Sequence, residues 1–289
     1  MAVSSEDIKN LRNVTGAGFL DCKKALEENQ NDIKKSISFL RKKGLAKVEK
    51  KSSREVKEGA VGFYQNDNIG VMIEINTETD FASKNNTFLD FFDQIGDFAL
   101  QIQNYENINV DKFLSQSFND KKISDYFVDI ISQIGENIVL KRIKYFTIEK
   151  DCKLYSYIHN PYKVNIGKIC VMLKANIKNI NDETNQFGKN LCMHIAASKP
   201  LANDIDDLDK SIIENEKDVQ LSLIKSSGKP EKIINKILDG KMNKYFSEAT
   251  FLNQSYIMDQ DKKIKNVLEE FNTKDHFEVK KYEYFVLSS

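Results

Sequence analysis

The chain has 289 residues and a mass of 33.3 kDa, about twice a typical domain, so two or so compact units are expected. Its 40% apolar content can fill sizeable cores, which argues against wholesale disorder. Forty-three basic residues balance forty-three acidic ones, and zero net charge removes the bulk attraction of a dedicated DNA binder. Only 12 Gly and 3 Pro favour long helices over a turn-rich all-β design. No run approaches the ~20 apolar residues of a membrane span. The polar opening MAVSSEDIKNLRN holds no signal-peptide core, so a cytoplasmic chain is expected. Cys22, Cys152, Cys170 and Cys192 form no C-x-x-C pair. Buried thiols in a reducing compartment are expected, not a disulfide framework or a zinc site.

Ser5 is placed to cap a first helix, with Ile8 and Leu11 three apart and acidic residues in its first turn. Thr15-Gly16-Ala17-Gly18 breaks it. A second helix is expected over 19–28 with Leu20, Ala25 and Leu26 inward. Asn31-Asp32 starts a third, carried by Ile33, Ile37 and Leu40 and capped by Gly44. These three helices would make a very small bundle. Residues 45–58 then turn charged and basic. They read as a solvated linker or exposed helix, or as a basic surface for an acidic partner.

Alternation over 60–65 and 69–75 around Asn66-Asp67-Asn68 marks a hairpin. Phe88, Phe92, Ile95, Ala99 and Ile102 recur at helical spacing, a seam to pack on that hairpin. Another helix is expected over 123–134, and Ile138, Leu140 and Ile143 lead into strand. The plan then repeats, with strands over Tyr155–His159 and Ile166–Ala175 and a helix over 184–198. Asn-Ile-Gly opens the second strand at both 68–70 and 165–167, so an internal duplication and a chance match both stay open. Helices over 209–226, lined by Ile212, Val219 and Leu223, and over 230–246, lined by Ile233, Ile237 and Leu238, follow. Ser227-Gly228-Lys229-Pro230 joins them as an antiparallel pair, either packed core or a protruding arm. A helix over 262–271 and a strand-like run from Phe277 to Leu287 close the pattern.

The common phosphate-loop, dinucleotide, nucleophile-elbow and zinc-protease signatures do not occur. His159, His194 and His276 have no ligand spacing, and no carboxylate pair stands out as general acid and base. The residues alone therefore describe a helix-rich α+β protein without an enzyme's constellation.

Several stretches in order carry a specific likeness. TGAGFLDCKKALEE (15–28) with LRKKG (40–44) resembles the N-terminal signature of bacterial-type translation elongation factor Ts. TETDFASKN (77–85) is similar to that family's second signature, and IGENI (134–138), SYIHN (156–160), HIAASKP (194–200) and SGKP (227–230) follow at compatible distances. The resemblance implies a guanine-nucleotide exchange factor for elongation factor Tu, the GTPase that delivers aminoacyl-tRNA to the ribosome. It implies no cofactor, no covalent chemistry, no direct nucleotide binding, no DNA and no membrane. A heterodimer or a 2:2 assembly with Tu fits equally. The implied architecture is α+β and helix-rich. A three-helix ubiquitin-associated-like domain with linker would span 1–55 and a first core subdomain 56–151. A second subdomain would combine 152–208 with 247–289, and a helical coiled-coil arm would occupy 209–246.

The resemblance also assigns residues. Thr79, Asp80, Phe81 and Ala82 would press on the GTPase domain of Tu and dislocate its Mg²⁺. Arg12, Leu20 and Lys23 would grip the same domain, and Ile134, Gly135, Glu136 and Asn137 would approach its phosphate-binding side. His159 would face the partner from the second subdomain. Read as plain residues, Phe81 would instead join Phe88 and Phe92 in the core. Leu20 would do the same in its bundle, Arg12 and Lys23 would be solvated, Gly135 a helix end and His159 a hairpin-turn residue. Ala82 stands where many members carry Val, which trims apolar area beside the wedge. Phe19-Leu20 replaces a commoner Met pair, and longer members continue past the final strand into another helix. A competing expectation is an RNA- or ribosome-binding module using the basic stretch 41–57, with affinity that falls steeply with salt.

Overall fold

The computed structural model describes residues 3–227 and 230–287. They divide into two compact units, one holding the chain up to Thr147, Ile158–Cys170 and the chain from Phe285 on, the other Ile148–Tyr157 and Val171–Tyr284.

The first unit opens with α1 (Ser5–Thr15), α2 (Phe19–Glu28) and α3 (Ile33–Lys51). Ser4 rather than Ser5 is the cap of α1, its hydroxyl oxygen accepting the Asp7 N–H at 3.0 Å. Ile8, Leu11, Cys22, Ala25, Leu26 and Leu40 form the bundle core. Leu20 is 78% exposed, and Cys22, two residues on, occupies the inward face instead. Nor does α3 stop at Gly44. The glycine sits where a Cβ would lie 3.0 Å from the Ser132 hydroxyl and 3.3 Å from Val128, so its missing side chain allows a close approach to the helix Ile123–Ile134. The charged segment thus begins as helix, and only 52–57 forms a connection.

Strands β1 (Glu58–Gln65) and β2 (Ile69–Thr77) pair antiparallel, with Ala60 opposite Ile75 and Phe63 opposite Met72. Asn66 closes the turn, its side-chain oxygen accepting the N–H groups of Asn68 and Ile69 at 2.9 and 3.0 Å. After the short α4 (Asp80–Ser83) comes α5 (Asn86–Leu100). Its Phe88, Phe92, Ile95 and Ala99 are fully buried with Ala60, Val71, Ile73 and Ile75 of the hairpin. α6 (Val110–Ser115), the small ribbon β3 (Ser117–Phe118) with β4 (Lys121–Lys122), and α7 (Ile123–Ile134) lead to β5 (Ile138–Thr147). β5 pairs antiparallel with β2 across a bulge at Glu74/Ile75. β6 (Cys152–Lys163) and β7 (Ile166–Ile177) follow, and β7 meets β1 at Val61 opposite Gly167, so the order here is β7-β1-β2-β5.

In the second unit β7 is flanked by β6 and by the final strand. α8 (Asp182–Ser198) starts at a reciprocal box in which Asn181 accepts the Thr184 N–H at 2.8 Å and Thr184 accepts the Asn181 N–H at 3.0 Å. α9 (Lys210–Ser226) and α10 (Glu231–Ala249) lie side by side, and the expected connection at Gly228 and Lys229 lies outside the described residues. Their seam is built from Ile213, Leu221 and Ile224 with Ile237, Leu238 and Met242. Ile212, Val219, Leu223 and Ile233, expected to line the pair, are exposed. α9 carries two apolar stripes, and helical spacing alone does not say which one meets α10. β8 (Ser255–Tyr256), β9 (Asp259–Lys263), α11 (Ile264–Asn272) and β10 (Phe277–Val286) complete the chain. Phe187 and Phe271 stack at 4.1 Å with Phe277 edge-on.

His194 of HIAASKP is fully buried. Its Nδ1 accepts the Ile257 N–H at 3.4 Å and its Nε2 lies 2.9 Å from the Gln254 carbonyl oxygen, which fits a neutral ring donating from Nε2. Burial pushes its pKa down. This histidine is structural. Among the described residues no cluster of three or more metal-type ligands occurs, and no helix is long and apolar enough to cross a membrane.

Candidate functional site: a clasped turn that presents Phe81

The site begins where β2 ends. The Thr77 hydroxyl donates to the Thr79 carbonyl at 2.8 Å, turning the chain out of the sheet. Thr79 then caps α4 in extended backbone, its Oγ1 accepting the Ala82 N–H at 3.3 Å. The same hydroxyl donates to Glu136 Oε1 at 2.6 Å, while the Thr79 N–H donates to Glu136 Oε2 at 2.9 Å. One carboxylate therefore grips both polar groups at the head of the turn.

A second carboxylate works in the other direction. Glu78 accepts the Asn137 N–H at 2.6 Å and pairs with Arg54 at 3.3 Å. Asn137 Nδ2 donates to the Arg54 carbonyl at 3.0 Å, and Lys51 Nζ donates to the Gly135 carbonyl at 2.5 Å. Gly135 ends α7 at φ 89°, ψ 5°, a left-handed conformation that costs glycine little and other residues more. It turns the chain so that Glu136 and Asn137 point toward 78–79. Three segments, 51–54, 78–82 and 135–137, converge on one clasp.

Ala82 and Ser83 are buried beneath the turn, and the Ser83 hydroxyl donates to the Asp80 carbonyl at 3.0 Å. Asp80 pairs with Lys84 at 2.7 Å. That hydrogen bond holds the Asp80 carboxyl below its usual range and raises Lys84. With 79 tied and 82 inward, Phe81 is left outward, 84% exposed, while Phe88 and Phe92 are fully buried. The core placement of Phe81 is thereby overturned. An exposed phenyl forgoes ~1.5–3 kcal/mol of burial.

The remaining expected positions fall as follows. Arg12, Leu20 and Lys23 are exposed on the three-helix bundle, and Lys23 faces Glu27 at 3.8 Å along α2. Val14 and Phe19, beside the glycine turn in sequence, are exposed as well. His159 is exposed on β6. Ile134 is half-buried and Asn137 buried. Ala82 and Asn137 therefore hold the turn from beneath instead of offering surface. Glu136 spends both carboxylate oxygens on Thr79. Glu78, Arg54 and Lys51 were missed as site residues; Glu78 stood inside the TETDF signature, whereas nothing in spacing marked the two cations.

A clasped turn that lifts one aromatic into solvent is a geometry suited to docking. Comparison with known proteins identifies the family. The family described as elongation factor TS matches residues 78–289. The chain is similar to elongation factor Ts of Rhodospirillum centenum, 36% identical over 269 residues, covering 92% of this chain and 86% of the relative. For elongation factor Ts of Roseobacter denitrificans the identity is 39% over 261 residues, 90% and 85% of the two chains. For that of Halothermothrix orenii it is 38% over 275 residues, 93% and 88%. The chain belongs to the elongation factor Ts family, whose role is nucleotide exchange on elongation factor Tu in translation elongation.

Proposed function

We propose that this protein releases GDP from Tu by pressing the Phe81 turn onto the GTPase domain and disturbing its Mg²⁺ and phosphate site. The observation that carries this reading is Phe81, 84% exposed on a turn clasped at its head by Glu136. A phenyl ring has only two side-chain torsions to immobilise, and a fixed turn adds little further ordering cost on docking. Mg²⁺ is a large local charge opposing the nucleotide phosphates, so displacing it loosens GDP. Thr79 and Ala82 set the direction of the wedge, and Asp80 offers a carboxylate beside it. Ile134, Gly135 and Glu136, at and just past the end of α7, border the same partner surface, and Asn137 supports the wedge from beneath. Arg12, Leu20 and Lys23 grip the GTPase domain from the bundle, and His159 adds a contact from β6.

The reading makes the protein a reusable catalyst of exchange, working in the cytoplasm without a cofactor or covalent step. It engages Tu as a heterodimer or in a 2:2 assembly. The three-helix bundle serves as a ubiquitin-associated-like domain with linker over 1–55. The two hairpin-plus-helix units serve as a duplicated core, 56–151 and 152–208 with 247–289. The α9–α10 pair serves as a coiled-coil arm over 209–246. A closed apolar seam of its own supports the arm reading. Replacing 210–248 by a short linker is expected to leave a folded chain with reduced exchange; loss of cooperative melting would make the pair part of the core.

An RNA-binding role for 41–57 finds less support. Arg41 pairs with Asp125, Lys43 with Asp21, Arg54 with Glu78 and Lys57 with Glu55, which leaves less free charge for phosphates. The deciding experiment is release of labelled GDP from Tu. Substoichiometric protein is expected to accelerate GDP and GTP exchange without altering their equilibrium ratio. Unchanged release at equimolar protein would refute the assignment.

A further inference from the structure

We infer that Glu136 is a positioning residue for nucleotide exchange, acting through Thr79 to hold Phe81 outward, with Glu78 locking the opposite side of the clasp. This inference rests on the proposed role of Phe81 and adds the device that sets it. α4 spans only Asp80–Ser83. A single helical turn has almost no stability of its own, so the direction of Phe81 must be fixed from outside. Glu136 does this with two hydrogen bonds to one residue, at 2.6 and 2.9 Å. Both involve an ionised acceptor and are of the stronger kind.

Geometry makes the clasp reciprocal. Glu78 precedes Thr79 and accepts the N–H of Asn137, while Glu136 precedes Asn137 and accepts the N–H of Thr79. Each carboxylate holds the residue following the other one. Sliding of either segment would break bonds at both ends. Lys51 and Arg54 fasten the frame to the end of α3, through the Gly135 carbonyl and Glu78. The Glu136 carboxylate is thus engaged within the chain, which distinguishes this role from a direct ion pair with the partner.

The test is a double-mutant cycle read on the GDP-release rate from Tu. Glu136→Gln keeps the size and one acceptor but turns an amide donor toward the Thr79 N–H or hydroxyl. It is expected to slow release roughly tenfold, the weight of one or two charge-assisted hydrogen bonds. In a Phe81→Ala background the same change is expected to have little further effect, because the group it positions is gone. Amide hydrogen exchange of residues 79–83 in the free protein should quicken in Glu136→Gln, with the melting temperature nearly unchanged. Equal slowing in both backgrounds would mean that Glu136 touches Tu directly and would overturn the inference. So would a Glu136→Gln protein with wild-type release while Phe81→Ala is slow. If Phe81→Ala itself releases GDP at the wild-type rate, the wedge reading fails first. If Glu136→Gln melts early, Thr79→Val supplies the second variant: it removes the hydroxyl's bond to Glu136 together with its cap on the Ala82 N–H, keeps the Thr79 N–H bond, and must show the same non-additivity.

Discussion

Phe81→Ala is expected to slow GDP release from Tu by roughly 30- to 150-fold, the loss of a hot-spot contact of ~2–3 kcal/mol. Its thermal stability should stay within about 1 kcal/mol of wild type, because the removed ring is solvent-facing and leaves no cavity. Phe92→Ala supplies the contrast. That ring is fully buried and lies 6.0 Å from Phe88 in an edge-on pair, so its loss should cost ~3–5 kcal/mol. The two variants remove the same atoms, one ring from the surface and one from the core of the same unit. Binding and release are linked, since a factor that prefers nucleotide-free Tu must weaken nucleotide affinity by the same coupling free energy. A wedge aimed at the Mg²⁺ region contributes mainly to that coupling. Lowering Mg²⁺ should therefore narrow the gap between Phe81→Ala and wild type. A destabilised Phe81→Ala with unchanged exchange per folded molecule would return the ring to the core.

The elements were readable where local chemistry and periodicity agree. The hairpin at Asn66–Asn68 and the α5 seam of Phe88, Phe92, Ile95 and Ala99 are cases in which turn residues, alternation and helical spacing all point one way. Sequence failed where two solutions share one pattern. Gly44 is a good helix stop by composition, yet what decides its setting is Ser132 and Val128, nearly ninety residues away. Leu20 and the stripe Ile212, Val219, Leu223 have core-like spacing but remain outside, because periodicity reports a face without reporting its partner. The site divides along the same line. Spacing placed Phe81 with Phe88 and Phe92, and only the family resemblance set it outward. The Glu78–Glu136 clasp joins residues fifty-eight positions apart, and no local signal predicts which carboxylate meets which amide.

Close packing against tyrosine gives a second expected stability effect. A Cβ added to Gly96 on α5 would lie 2.3 Å from Tyr64 Cε2 and 2.4 Å from its Cδ2, far inside contact distance. The ring cannot retreat easily: it is buried, stacks near Phe92 at 6.4 Å, and its hydroxyl donates to Asp93 at 2.7 Å. In the other unit, Gly188 on α8 stands in the same relation to Tyr155, with a Cβ 2.5 Å from the ring. Each helix thus runs close under the first strand of its hairpin only because a glycine faces a tyrosine there. Alanine improves intrinsic helix propensity by ~1 kcal/mol, so the sign of the outcome depends on which effect wins. Overpacking costs typically ~1–3 kcal/mol and more where neighbours are fixed. Gly96→Ala and Gly188→Ala are accordingly expected to lower the denaturation midpoint clearly. Gly240 on α10 is the control, since a Cβ there meets nothing within 4 Å, and Gly240→Ala should be stabilising by ~0.5–1 kcal/mol. Urea titrations of the three variants on one protein batch compare them directly. A Gly96→Ala protein as stable as Gly240→Ala would mean that Tyr64 yields its position, and that the glycine is not what sets the helix-to-hairpin distance.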